Sequence, residues 1–490
     1  MAKVEEPTIE VKLFVDKEKR KVLFTESDKE FVDVLFSFLT MPLGTIVRLL
    51  GKQSQMGCLD ELYKSVEDLS ADCFQNKGCK AMLLRPLNAA SSHCRRLKIN
   101  IDNTKPRAVY ICRDTRCCAH NDCEFSSFPD AACKCGKAMQ YGRDMPENEG
   151  DSLAPDGGGL ESGVFIKGLL KFVITDDLIV APASTPLMLS IFERFGVDDP
   201  ENIEETILQF NSQKIISLLK RSLTSKQPLT GIYFDATLVS VDADLGVLPE
   251  QQNDADEKCN IAKMKVLRTK SNSLLYVEGD AEFIDLLFGL LSIPLGSIIK
   301  AFGQWPPSGC VDNLWKSIDG SAKGCVRPEC QNLLLAPKSA PFGCGAAKVL
   351  EVDELATAVL DIKSCFNCLK NYGFANTDRC RYNCLAIVKS TRLYELNPRR
   401  TPKDGSRNSE SYVKGGHMRF MVTGDLHVHP LSISATLQVL RDANVQTEEL
   451  EEREIGLTKF RLAIYIVIGY GDSEGCIDGP HRSEFGVSAS

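Results

Sequence analysis

Apolar residues recur in Asp28–Leu50 at helical spacing. Phe31, Val34, Leu35, Phe38 and Leu39 fall at i, i+3, i+4, i+7 and i+8, the buried stripe of an α-helix. Ser27 and Glu30 have the spacing of a capping box, which predicts where that helix starts. Pro42 lacks the N–H that a continuing helix needs, so it ends this helix or opens a second one through Ile46. The pattern returns at Asp280–Phe302. There Phe283, Leu286, Leu287, Leu290 and Leu291 make the stripe, Pro294 makes the corner, and Gly279 and Glu282 stand at the cap. The two stretches share 11 of 23 positions without a gap, so the chain reads as two copies of one unit.

Short β-rich runs flank these helices. Val11–Val15 and Lys21–Thr25 predict a hairpin, matched by Met264–Arg268 and Leu274–Val277. Further on, KFVITDDLIVAP within Phe165–Pro182 and its counterpart RFMVTGDLHVHP each predict two strands about a turn, at Asp176-Asp177 and Gly424-Asp425. Helices are expected at Leu187–Phe195, Ser212–Leu223 and Ala435–Arg441, and a strand at Phe460–Gly469, where the copies diverge. The expected fold is α+β, in two tandem homologous modules. The first, 1–247, holds a hairpin-helix unit (8–105), a cysteine hairpin (106–142), a loop (143–163) and a second hairpin-helix unit (164–240). A linker at 248–258 leads to the second, 259–490, with the corresponding parts at 262–358, 359–390, 397–416 and 411–475.

Bulk properties narrow the function classes. With 490 residues, two to four domains are the prior. A net charge of -8 gives no global attraction to nucleic acid or to acidic membranes. No apolar run approaches the roughly 18 residues of a spanning helix, and the start MAKVEEPTIEVKLF has no secretory pattern. A reducing, cytoplasmic or nuclear setting is the expectation. The 20 cysteines then point to metal before disulfides.

Two cysteine clusters occupy the same place in each module. The first is Cys112-x4-Cys117-Cys118-x4-Cys123-x9-Cys133-x-Cys135; the second is Cys365-x2-Cys368-x11-Cys380-x3-Cys384. Two close pairs separated by a spacer resemble a zinc ribbon, in which four thiolates converge on a tetrahedral ion. The expected ligands are Cys112, Cys117, Cys133 and Cys135, with Cys118 an equal substitute for Cys117, and Cys365, Cys368, Cys380 and Cys384. Four thiolates close the shell, so the Zn2+ would be structural. Cys58, Cys310, Cys73 and Cys325 read instead as small buried thiols.

Other candidates are weaker. His427 and His429 lie on a predicted strand, so their rings can share a side, but a surface or packing role is the simpler reading. Arg95-Arg96-x-Lys98 and Arg399-Arg400 read as solvated loops. The Gly469-Tyr470-Gly471 turn lacks the helix and spacing of a dinucleotide site. No Walker, GxSxG or HExxH sequence is present.

The hairpin and helix running through VLFTESDKEFVDVLFSFLTMPLGTIVRLL, the later CKCGKAM and the run SLLKRSLTSKQPLT resemble the plant family catalogued as domain of unknown function 674. The likeness spans nearly the whole chain as two modules. It implies a flowering-plant protein and no known activity, cofactor or site residue. The second module departs from the family's CxCGK element. The leading expectation is a non-catalytic protein-interaction or scaffold protein with structural zinc. The alternatives are nucleic-acid binding through the cysteine hairpins and an enzyme with a site between modules near Asp425, His427 and His429. No membrane partner is expected.

Overall fold

The computed structural model describes residues 6–102, 108–114, 123–144, 163–168, 170–197, 199–235, 262–271, 274–305, 308–343, 345–365, 370–373, 389–400 and 410–457. These form a mixed α+β architecture. The first antiparallel sheet has the order Ile203–Phe210, Ile9–Asp16, Lys21–Ser27, Phe172–Thr175, Val180–Pro182. A second has the same order: Leu450–Leu457, Ala262–Thr269, Leu274–Gly279, Phe420–Thr423, Val428–Pro430. The edge strands Ile203–Phe210 and Leu450–Leu457 are not anticipated by the sequence reading. Both are rich in Glu, and among the described residues each pairs only with the first hairpin strand. The strand expected at Phe460–Gly469 and the linker 248–258 lie outside the described residues.

The repeated stretch folds as helix Lys29–Ser37, a 3-10 turn Phe38–Thr40 and helix Leu43–Leu49; its counterpart is Ala281–Gly289, Leu290–Ser292 and Leu295–Phe302. The predicted stripe residues are buried in both. The capping box is not used. Ser27 belongs to the preceding strand and the caps are Asp28 and Asp280. Asp280 accepts from the Phe283 N–H at 3.0 Å, whereas the Asp28 carboxylate is held by Lys171 at 2.7 Å. Gly279 suits its place because a Cβ there would strike the Phe283 ring.

At the proline corners the two halves cross. Leu43 N–H, free of any partner in its own helix, donates to Ile293 O at 2.9 Å; Leu295 N–H donates to Met41 O at 2.9 Å. Pro42 and Pro294 face one another in an antiparallel bridge. The chain passes so closely that a Cβ on Gly44 would lie 3.0 Å from Leu291 O, and one on Gly296 would lie 2.9 Å from Leu39 O. Beyond the corners the elements exchange. Helix Leu59–Asp68 packs on the second sheet and helix Asp312–Asp319 on the first. Phe74 bridges Val413, and Val326 bridges Ile166 in return. A single apolar cluster therefore runs through both halves.

One acid in each stripe helix ties these exchanges together. Asp33 is buried and accepts three backbone N–H bonds, from Val164 at 2.6 Å, Phe165 at 2.8 Å and Ile166 at 3.0 Å. Asp285 accepts from Tyr412 N–H and from Arg399, both at 2.6 Å. Arg399 is thus no solvated loop residue: it is 3 % exposed, lies over the Tyr412 ring and also donates to backbone carbonyls of Phe342, Gly343 and Glu410. Burial of its guanidinium follows from the buried carboxylate it neutralises. Arg95, Arg96 and Lys98 are exposed, as their sequence suggests. Cys73, Cys310 and Cys325 are buried free thiols, but Cys58 is engaged in a disulfide.

Two outcomes test this frame. Gly296→Ala should lower stability by about 1–3 kcal/mol in urea unfolding, because the new Cβ meets backbone rather than a yielding side chain. Asp33→Asn sets an amide NH2 against backbone donors and should cost about 1–3 kcal/mol. Burial pushes Asp33 from 3.8 up to about 6 against the pull of its three N–H donors. A folded pKa above the unfolded one contributes stability that is complete below about 3.8 and is lost as pH rises through about 6. From pH 7 to pH 5 the wild type should gain roughly 1 kcal/mol more than Asp33→Asn in paired urea melts.

Candidate metal centre

The cysteine hairpins join in a third sheet of six strands: Lys370–Gly373, Val359–Cys365, Lys389–Glu395, Cys123–Ser126, Ala108–Ile111, Tyr141–Asp144. Its seam is parallel, with Leu393 opposite Cys123 and Glu395 opposite Phe125. Val109, Ile111, Cys123, Phe125, Leu360 and Leu393 bury one face of it. Leu396 N–H donates to Phe125 O at 2.7 Å, and Glu395 receives Ser127 Oγ and Ala358 N–H. A small hairpin, Ala131–Ala132 with Ala138–Met139, stands beside this sheet. It rests on helix Lys77–Leu84, where Gly78 lets the Ala131 backbone approach: a Cβ there would lie 2.9 Å from the Ala131 Cα.

The sulfurs of Cys112, Cys133 and Cys135 all lie within 4.8 Å of one another, and Cys112 Sγ is 3.6 Å from Cys135 Sγ. Two local devices bring them together. Cys112 directly follows the strand Ala108–Ile111, and the Asp114 N–H points back at its sulfur at 3.4 Å. Cys133 opens a tight turn closed by Cys133 N–H to Lys137 O at 2.9 Å and Gly136 N–H to Cys133 O at 2.7 Å. Gly136 sits at φ +82°, where a glycine is favoured, so Cys135 turns back toward Cys133. Lys137 joins the two devices through Asp114 at 2.9 Å. Met139, Tyr110 and Leu396 pack around the sulfurs.

Cys112 and Cys133 are buried, while Cys135 is exposed. Burial, and then the neighbouring thiols, push Cys133 up to about 12. A cation shared with Cys112 and Cys135 would offset what burial does to Cys133. In a tetrahedral zinc–thiolate centre the S–S edges are about 3.8 Å, from Zn–S bonds near 2.3 Å. The Cys112–Cys135 separation matches that edge. The donor set therefore fits a divalent ion and offers three of its ligands.

Of the expected first set, Cys112, Cys133 and Cys135 come together; Cys117, with Cys118 and His120, lies outside the described residues. Cys123 lies outside this group, fully buried in the apolar face of the sheet. Of the second set, Cys365 ends a described strand whose side chain is not described, and Cys368, Cys380 and Cys384 lie outside the described residues. The His427 and His429 rings do share one side, stacked at 4.2 Å. Sequence reading missed Glu61, which meets His427 Nδ1 at 3.5 Å from another part of the chain. The signal available was a paired difference between copies: Glu61 and His427 stand where the other copy has Asn313 and Ile179.

Among the described residues no helix is long and apolar enough to cross a membrane. Residues 5–460 match the sequence model of a family described as "Protein of unknown function (DUF674)". No curated protein and no solved structure matches the chain.

Cys123→Ser should separate packing from ligation. A hydroxyl in that apolar face should cost about 1–3 kcal/mol in urea unfolding, while metal content, read by elemental analysis, stays at the wild-type value.

Proposed function

The chain belongs to the DUF674 family across residues 5–460, and from that premise we propose a non-catalytic protein-binding scaffold stiffened by structural zinc. What carries the reading is the convergence of Cys112, Cys133 and Cys135 on one point, with Cys112 and Cys135 at 3.6 Å. Cys117 or Cys118 completes the tetrahedron in this reading, leaving no position for a reacting water. The ion pins the turn Cys133–Lys137 to the end of strand Ala108–Ile111, which steadies the six-stranded sheet. Cys365, Cys368, Cys380 and Cys384 form the matching centre of the second copy.

We read the chain as a duplicated unit of plant origin, acting in the cytoplasm or nucleus, with the modules divided near 248–258. The common strand order of the two five-stranded sheets supports the duplication. A protein partner suits the chain better than nucleic acid, given its net charge of -8.

Elemental analysis of protein prepared under reducing, chelator-free conditions tests the zinc. Two ions per chain are expected. Cys133→Ser and Cys380→Ser should each lose one, with a lower melting temperature for the first. Protein free of zinc as isolated would end the proposal.

A further inference from the structure

The three sulfurs of the cysteine centre are unequally open to solvent. Cys112 and Cys133 are 7 % and 2 % exposed, whereas Cys135 stands in the exposed run 134–138. None of the three is in a disulfide. Cys112 Sγ lies 3.6 Å from Cys135 Sγ, so closing to a bond of about 2.05 Å needs a shift of roughly 1.5 Å. The two partners suit that shift because one is held and the other is not. Cys112 is fixed by the strand before it and by the Asp114 N–H on its sulfur. Cys135 stands on a turn whose next residue, Gly136, has open space beside it. Cys133 is a poorer partner. Its N–H and its carbonyl both close that turn, through Lys137 O and Gly136 N–H, and a bridge to Cys135 would break it.

We infer that Cys112 and Cys135 are a reversible dithiol–disulfide pair, oxidised by a small hydroperoxide that enters at Cys135. The inference rests on the same grouping of sulfurs as the zinc reading, but not on the ion. Cys135 sulfur attacks one peroxide oxygen. The O–O bond breaks, the thiol proton goes to the departing hydroxide as water, and Cys135 becomes a sulfenic acid. Cys112 sulfur then attacks Cys135 sulfur. The S–S bond forms, the S–O bond breaks, and a second water carries away the Cys112 proton. The two thiols lose two electrons, and hydrogen peroxide is reduced to two waters. A dithiol reductant reverses the bridge by exchange.

The bridge takes two of the sulfurs that the zinc reading gives to the ion, so oxidation would release it. The turn would stay attached to the strand end through a covalent bond in place of the metal. Other thiols of the chain lack this combination of an exposed sulfur and a near partner. Cys79 and Cys330 are buried in the main core, where their sulfurs donate to Pro398 O at 3.3 Å and to Val164 O at 3.7 Å. A peroxide has no comparable approach to them, so they serve as internal controls.

Full-length, reduced protein is titrated with hydrogen peroxide, quenched by alkylation and mapped by peptide mass spectrometry, while a chromogenic chelator reads zinc release. A Cys112–Cys135 bridge is expected, reversed by dithiothreitol and formed at least about tenfold faster than any modification of Cys79 or Cys330. Wild type stripped of metal by a chelator should form the same bridge, because the ion takes no part in the step. Cys112→Ser should stop at a Cys135 sulfenic acid that dimedone traps, and Cys135→Ser should leave Cys112 a thiol. Both thiols intact in the isolated and the stripped wild type, or Cys135 bridged to Cys133 or to any other cysteine, overturns the inference. A bridge that forms with no zinc released would count against zinc at these sulfurs and leave the redox pair standing.

Discussion

The structure depends on one close crossing of backbone. At Pro42 and Pro294 two helix starts meet, and each first free N–H is answered by a carbonyl of the opposite strand of chain. Proline suits the crossing because it fixes an extended approach and needs no hydrogen bond of its own. Glycine suits the next turn because any side chain would push the backbones apart. A helix end buried without partners costs about 1–3 kcal/mol for each stranded group. The two halves therefore satisfy at their junction what neither satisfies alone.

Everything past the corners inherits that geometry. The helices cross to the opposite sheets, so the core is continuous rather than two separate cores. Asp33 and Asp285 secure the returning segments 163–168 and 410–414 by different chemistry. Asp33 is balanced by backbone N–H groups, whereas Asp285 is balanced by the buried cation Arg399. The two corresponding positions keep a carboxylate in a dry environment by different means.

The cysteine hairpins depart from this reciprocity. They join side by side through a single parallel seam, so the two copies hold unlike positions in the six-stranded sheet. The same freedom shows at the helix–strand contacts, where a shared Ser-to-backbone bond keeps the frame while its neighbours change from Ile179 and Asn313 to His427 and Glu61.

Periodicity alone determined the stripe helices and the hairpins, because burial of one face imposes a spacing that can be counted. The grouping of Cys112 with Cys133 and Cys135 was also legible, since the last two share one turn and the strand-end position of the first follows from its flanking β-run. Cys123 shows the limit: its spacing suits a ligand, but strand pairing turns it into the apolar face. Ser27 is similar, as sheet pairing claims it before the helix can. Only the tertiary structure decided that the helices exchange sheets, that Asp33 reaches Val164 and that Glu61 meets His427. Those contacts join residues more than a hundred positions apart, and local sequence patterns carry no record of which distant backbone a side chain will find.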